Sequence, residues 1–119
     1  MQDFKKLSVW QKSHQLNMAV YRATEIFPKD EKYGLVTQMR RTSFSIPANI
    51  AEGCGRNTRG DMVRFLDIAM GSGSELEYYL LMSHELGYLD QAAHDALDPL
   101  LQEVKRMLNA LIHKIRSET

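Results

Sequence analysis

The 119-residue sequence predicts an all-α protein, folded as an antiparallel up-down-up-down four-helix bundle. Three observations predict this fold. Apolar residues recur at steps of three and four in four segments, the links between these segments are short and polar, and no run alternates apolar and polar residues as a half-buried strand does. A chain of this length fits one domain, so we expect residues 1–119 to share a single core.

The first two helices are predicted on either side of a polar turn that begins at Pro28. The first runs from about Ser8, which can cap it, to Phe27, since proline cannot continue a helix. Its apolar face is formed by Leu16, Val20, Ala23 and Phe27. The second ends at Gly53, because glycine readily adopts the left-handed conformation that stops a helix. Its apolar face is formed by Leu35, Met39, Ser43, Ile46 and Ile50.

The third helix is predicted after a glycine-rich link. Thr58 can cap it, and Asp61 lies in its first turn, where a negative charge suits the helix dipole. A heptad seam is formed by Met62, Leu66, Ala69, Gly73, Leu76, Leu80 and Ser83. A second stripe beside it is formed by Phe65, Ile68, Ser72, Tyr79, Met82 and Leu86. Two adjacent stripes indicate a helix that is contacted from more than one side.

Two glycines interrupt the third helix. Gly71 and Gly73 each cost about 1 kcal/mol relative to alanine, which favours a close approach of another backbone or room for bulky core residues. Gly87 closes this helix, and Asp90 can cap a fourth. Pro99 either kinks the fourth helix or restarts it with Asp98 as a new cap. Its apolar face is formed by Leu97, Leu101, Val104, Leu108, Leu111 and Ile115.

The sequence offers no recognisable catalytic, cofactor or metal site. No histidine follows a glutamate by three residues, as the di-iron sites of four-helix bundles require, and each is expected at or near the surface. No phosphate-binding loop or dinucleotide fingerprint is present. The single cysteine, Cys54, lies between glycines and is interpreted as an exposed turn residue rather than a nucleophile. With a polar N-terminus and no long apolar run, we expect a cytoplasmic protein without membrane contact.

Charge is distributed unevenly along this neutral chain. Between residues 65 and 104 there are eight acidic residues and no lysine or arginine. Five arginines precede this segment around the link between helices 2 and 3: Arg40, Arg41, Arg56, Arg59 and Arg64. They can bind the acidic face of another copy in a head-to-tail contact that closes into a ring or extends into a fibre. They can also bind the phosphates of RNA or DNA, or simply be solvated.

The second helix contains an irregular stretch around Pro47. Proline removes a backbone donor and clashes with the Ser43 carbonyl, so we expect a bend near Ile46. Ser45 and Asn49 are placed one turn apart and can bond the freed carbonyl. Together with Glu52 and Gly53 they form a motif that either stabilises the bend and the helix end or takes part in assembly and partner contact.

This motif carries a family resemblance. The run Ser-Phe-Ser-Ile-Pro-Ala-Asn-Ile-Ala-Glu-Gly at residues 43–53, within 38–56, resembles the signature of the four-helix-bundle proteins encoded in intervening sequences of bacterial 23S ribosomal RNA genes. The likeness extends over residues 4–12, 64–77 and 86–89. It implies an antiparallel bundle assembled as a homo-oligomer, with pentameric rings, and no catalytic residues.

The same resemblance suggests a second kind of partner. Accessory proteins of diversity-generating retroelements are similar in fold and are described as binding nucleic acid and a reverse transcriptase through a strongly basic surface. The present chain differs from that branch in having no net charge. The sequence therefore predicts a non-enzymatic, homo-oligomeric accessory or scaffold protein, with an RNA- or DNA-binding module as the alternative.

Overall fold

The computed structural model describes residues 2–118, which form a helical bundle without β-strands. The helices are α1 (Ser8–Thr24), α2 (Thr37–Cys54), α3 (Arg59–Glu85) and α4 (Gln91–Ser117). Short helical turns at Phe4–Lys6, Lys29–Glu31 and Lys32–Val36 precede α1 and α2. Each helix packs against the next, and α4 returns to α1, which confirms the predicted all-α four-helix bundle. Met1 and Thr119, the ends of the predicted domain, lie outside the described residues.

Contacts between α2 and α3 show their antiparallel packing. Ser83 on α3 donates to the Met39 sulfur near the start of α2, at 3.2 Å, and Ser72 donates to Ser45 farther along α2, at 2.9 Å. Gly53, at the end of α2, lies against Met62 near the start of α3. Residue numbers therefore increase along α2 in the direction in which they decrease along α3, as antiparallel helices require.

The core follows most of the predicted apolar faces. On α3, every seam position from Leu66 to Ser83 is buried, whereas Met62 is only half-buried. The five predicted positions on α2 and its approach are all buried as well. On α1, Thr24 is buried more deeply than the predicted Ala23, and on α4 Ile112 is buried more deeply than the predicted Leu111. Both differences are shifts of one residue at the edge of an apolar face.

Helix ends confirm three of the predicted signals. The Thr58 side chain accepts a hydrogen bond from the Asp61 amide (3.1 Å) at the start of α3, and the Asp90 side chain accepts one from the Ala93 amide (2.8 Å) at the start of α4. Gly87 has a φ of 81°, the left-handed conformation expected after a helix end. The prediction of Ser8 as a cap was wrong. The α1 cap is Leu7, without a side-chain hydrogen bond, and Ser8 is already helical.

Two predicted interruptions do not interrupt their helices. Gly53 was predicted as a left-handed stop, but it lies inside α2 and is buried, so this prediction was wrong. α2 continues through Cys54, which is 3% exposed rather than an exposed turn residue. Pro99 lies inside an unbroken α4, which rules out a restart at that position. Phe27, predicted as the end of α1, lies beyond its last residue and packs against Tyr88 with ring centroids 5.6 Å apart.

Gly71 and Gly73 have different surroundings. A Cβ at Gly73 would lie 3.4 Å from Lys105 Cγ and 3.8 Å from Leu101 Cδ1, so α4 side chains rather than another backbone occupy the space. A Cβ at Gly71 would meet no atom within 4 Å. Of the two predicted alternatives, room for side chains fits Gly73, whereas neither fits Gly71.

Candidate interaction surfaces

The Ser45–Asn49 pair forms a polar link between α2 and α3. Asn49 Nδ2 donates to the Ser45 carbonyl at 2.8 Å and to Ser45 Oγ at 2.9 Å. Ser72 Oγ on α3 donates to the same Ser45 hydroxyl at 2.9 Å. All three side chains are half-buried. The pair therefore ties one helix to its neighbour, besides bonding within its own turn.

The carbonyl that Asn49 bonds differs from the one predicted to be freed by Pro47. Proline at position 47 removes the donor to Ser43, whereas Asn49 donates to Ser45. Ser43 also bonds through its side chain: its hydroxyl donates to Asn17 Oδ1 on α1 (2.7 Å) and to the Arg40 carbonyl (3.1 Å). The proline segment thus bonds to α3 on one side and to α1 on the other.

The last turn of α2, which contains Glu52 and Gly53, packs closely against α3. A Cβ at Gly53 would stand 3.2 Å from the Met62 carbonyl oxygen and 3.3 Å from Phe65 Cβ. Both distances are shorter than ordinary van der Waals contact, so the absence of a side chain permits the approach. Glu52, next to it, is exposed. The Glu-Gly pair therefore combines a packing residue with a surface residue.

The five predicted arginines do not form one cluster. Arg40 and Arg41 lie in the first turns of α2, whereas Arg56 follows its end. Cys54 is 14 residues beyond Arg40, which at 1.5 Å per residue corresponds to roughly 20 Å along the helix. Arginines close to one link in the sequence are consequently divided between the two ends of the bundle.

Arg40 is held against α1. Its Nε donates to Thr24 Oγ1 at 2.9 Å, its Nη2 donates to the Tyr21 carbonyl at 3.2 Å, and its guanidinium carbon lies 4.7 Å from the centre of the Tyr21 ring. Arg41, which is exposed, donates to Gln38 Oε1 at 2.7 Å. Arg40 therefore serves packing within the chain, and Arg41 remains accessible to a partner.

The other three arginines lie together at the α2–α3 connection. The guanidinium carbons of Arg56 and Arg64 lie 5.3 and 4.9 Å from the centre of the Phe65 ring, a cation–π arrangement. Arg59 Nη1 donates to the Glu118 carbonyl at 2.7 Å, and Arg64 lies 3.8 Å from the Asp61 carboxylate. All three side chains are exposed. They form the basic end of the molecule.

A depression of about 300 Å³ opens beside these arginines, lined in part by Arg56, Arg59 and Cys54. Burial raises the pKa of the Cys54 thiol, and the Asp3 carboxylate raises it further. The reactive thiolate is therefore disfavoured near neutral pH. This environment suits a packing cysteine rather than a nucleophile.

The acidic segment is partly neutralised by cations on other helices. Three ion pairs join them: Glu77–Lys105 at 2.7 Å, Asp67–Arg116 at 3.2 Å and Glu103–Lys12 at 3.7 Å. The hydrogen bond from Lys105 lowers the pKa of Glu77. The eight acidic charges counted along the sequence are thus not all available to a partner.

A cluster of exposed apolar side chains lies at the C-terminal end of α3. We name it the α3 strip, and its members are Tyr78, Leu81, Met82 and Leu86. Tyr78 is 59% exposed, and Leu81 and Leu86 are about half exposed. Ile68, nearer the N-terminus of α3, is 44% exposed. Met82, Leu86 and Ile68 belong to the predicted second stripe, whereas nothing in the heptad spacing singled out Tyr78 and Leu81.

Within residues 2–118, no three side chains of histidine, cysteine, aspartate or glutamate are grouped as a metal site would require. Every buried side-chain nitrogen or oxygen in this range has a hydrogen-bond partner. Over the same range, no helix combines the length and apolar character needed to cross a bilayer.

Comparison with known proteins identifies relatives of this fold. Residues 5–110 match the family model described as 23S rRNA-intervening sequence protein. A crystal structure of a protein with unknown function from the S23 ribosomal protein family of Bacteroides thetaiotaomicron VPI-5482 is similar, with a TM-score of 0.82 and 24% sequence identity. The match covers 88% of this chain and 95% of that one, and at this identity it shows a shared fold. No curated protein matches the chain.

Proposed function

Because the chain belongs to the family of 23S rRNA-intervening sequence proteins, we propose that it acts as a non-enzymatic accessory or scaffold protein that assembles into homo-oligomers, a pentameric ring being the expected form. The observation that carries this proposal is the α3 strip. A contiguous exposed apolar patch on a soluble protein commonly marks a protein interface. Burying the exposed half of Tyr78, Leu81 or Leu86 against a partner contributes about 1 kcal/mol per side chain.

The charge distribution supports the same function. The acids of the central segment lie mainly on α3 and α4, and the exposed arginines of the α2–α3 connection lie at one end. With no net charge on the whole chain, copies of the protein do not repel one another strongly. Mutual attraction between unlike surfaces can then assist the apolar contact.

Light scattering coupled to size-exclusion chromatography tests assembly directly. We expect a mass that is a multiple of the 13.7 kDa chain at micromolar concentration. The double variant Tyr78→Glu with Leu81→Glu should lower this mass, because it places charges in the contact. A strictly monomeric wild-type protein would contradict the proposed function.

A second variant separates the two modes of assembly. If arginines carry the contact, Arg56→Glu combined with Arg59→Glu should dissociate the oligomer. If the α3 strip carries it, the same double variant should retain the wild-type mass. The result assigns the contact to charge or to apolar packing.

Nucleic-acid binding is the second candidate function, favoured by the grouping of Arg56, Arg59 and Arg64 at one end. Exposed guanidinium groups can bind phosphates in a bidentate manner. Three such contacts would give affinity for RNA or DNA that falls with a slope of about −2 to −3 in a plot of log affinity against log salt.

Fluorescence anisotropy with structured RNA and with duplex DNA over a salt series tests this candidate. Replacing all three arginines by glutamine should abolish binding. The matched control is Arg41→Gln, since Arg41 is an exposed arginine at the other end of α2. Absence of binding by the wild-type protein at about 50 mM salt would exclude phosphate-driven recognition.

A further inference from the structure

A shallow groove between α1 and α4 is lined almost entirely by small apolar side chains. Four alanines, one leucine and one arginine form its walls: Ala19, Arg22, Ala23, Ala93, Ala96 and Leu97. We name it the α1–α4 groove, and its volume is about 340 Å³. Because the alanine side chain is short, a neighbouring helix or large apolar side chains can approach the backbone closely. The groove is a concave surface, whereas the α3 strip presents large side chains.

The groove and the α3 strip lie at the same end of the bundle. The strip occupies the last turns of α3, and the groove is built from the last turns of α1 and the first turns of α4. In an antiparallel up-down bundle these three helix ends are neighbours. The two surfaces are formed by different sides of the molecule, because the strip faces outward from α3 and the groove lies between α1 and α4.

Charge at the two surfaces is complementary. Arg22 is exposed in the wall of the groove, and Glu85 is exposed beside the α3 strip. No lysine or arginine occurs between residues 65 and 104, so the part of α3 that carries the strip has no cation that would repel Arg22. Opposite charges at the rim of an apolar contact favour the correct orientation of the partners.

The surface area of the chain accommodates both contacts at once. A stable interface buries about 800 Å² on each partner, which is roughly an eighth of the 6866 Å² of accessible surface. Two separate interfaces of this size therefore leave most of the molecule exposed. A chain with one surface of each kind can bind two neighbours.

We propose that the α3 strip of one copy docks into the α1–α4 groove of the next, an inference that rests on the proposed homo-oligomeric function. The contact is heterologous, because different surfaces meet, and it propagates around a ring or along a fibre. A side-by-side arrangement, with this end of every bundle at the same level, satisfies the contact and allows closure into a ring.

Two complementary variants test the head-to-tail contact. The strip variant carries Tyr78→Glu and Leu81→Glu, and the groove variant carries Ala23→Glu and Ala96→Glu. Both variants introduce glutamates. Because like charges repel, the altered strip of one variant has no attraction for the altered groove of the other. Ala110→Glu, at an exposed position near the far end of α4, is the matched control.

Light scattering of each variant and of their equimolar mixture gives distinct outcomes. We expect each variant alone to be monomeric, the mixture to form a dimer of about twice the monomer mass through the one intact strip and the one intact groove, and the control to keep the wild-type mass. Circular dichroism confirms that helix content is unchanged. An oligomeric groove variant, or a mixture that stays monomeric, would overturn the proposed contact while leaving self-assembly intact. A monomeric wild-type protein would overturn the proposed function itself.

Discussion

Replacing Gly53 by alanine measures how closely α2 approaches α3. The new Cβ would stand 3.2 Å from the Met62 carbonyl oxygen and 3.3 Å from Phe65 Cβ. Neither atom can rotate away, because one belongs to the backbone and the other is fixed to it, so the two helices must separate by a few tenths of an ångström. Overpacking of this kind costs about 1–3 kcal/mol. The higher helix propensity of alanine returns at most about 1 kcal/mol, because Gly53 is the penultimate residue of α2.

Gly71→Ala is the matched control for this experiment. Gly71 also lies inside a helix, but an added Cβ meets no atom within 4 Å. The gain of about 1 kcal/mol in helix propensity should therefore appear there without the packing cost. Gly53 is the penultimate residue of α2, where the gain in helix propensity is smaller than at Gly71 in the middle of α3. The difference in unfolding free energy between the two variants therefore gives an upper limit to the cost of contact at Gly53.

Urea unfolding, followed by circular dichroism at one protein concentration, provides the measurement. With an m-value of about 1–3 kcal/mol per molar, a difference of about 2 kcal/mol separates the two midpoints by about 1 M. We expect Gly71→Ala to unfold at higher urea than the wild-type protein and Gly53→Ala to unfold at lower urea. Equal stability of the two variants would refute the argument that glycine at position 53 is required by helix contact.

Three further predictions concern local contacts. Thr58→Ala should lower the unfolding free energy by about 1 kcal/mol in urea, because it removes the acceptor for the Asp61 amide at the start of α3, whereas Thr58→Ser should retain it. Cys54 should react with iodoacetamide much more slowly in the native protein than in urea, since it is buried and its pKa is raised; equal rates would contradict its placement. The pKa of Glu77 is lowered in the folded state, so its contribution is present above the unfolded pKa and is lost as pH falls through the folded pKa. The stability advantage over Glu77→Gln should therefore shrink in acid and stay below about 1 kcal/mol, because the pair is partly exposed.

The helical core could be predicted because its physical cause is periodic. A helix places positions three and four residues apart on one face, so the seam from Leu66 to Ser83 follows directly from the sequence. Errors occur where two adjacent positions both continue the spacing, as Ala23 and Thr24 do at three and four residues after Val20. The depth to which such marginal residues are buried depends on the neighbouring helix, which local spacing does not describe.

Glycine was harder to interpret because it has two structural uses. A glycine after an apolar helix can supply a left-handed stop, as Gly87 does, or permit close helix contact, as Gly53 does. Both glycines follow an apolar helical pattern, and the two cases differ in whether another helix packs against the glycine. The same ambiguity made Cys54 resemble a turn residue, since a stop at Gly53 would have placed it outside the helix.

The arginine surface shows why charges counted along a sequence do not define a patch. Arg41 and Arg56 are 15 residues apart, and in a compact loop they could meet. A helix between them holds them roughly 20 Å apart instead, because each helical residue advances the chain by 1.5 Å. Candidate patches on helical proteins are therefore better drawn from residues on both sides of one connection than from residues on both ends of one helix.

The second stripe of α3 shows how a periodic signal can extend beyond the chain that contains it. Phe65, Ser72 and Tyr79 are half-buried beside α2, which accounts for part of the stripe. Ile68 and Leu86 remain 44% and 48% exposed although they share its period. Periodicity indicates that a helix face is apolar. It does not indicate whether the surface that packs against this face belongs to the same molecule or to another one. Since α2 covers only part of this face, the uncovered part is the physical reason to seek its partner in another copy of the chain.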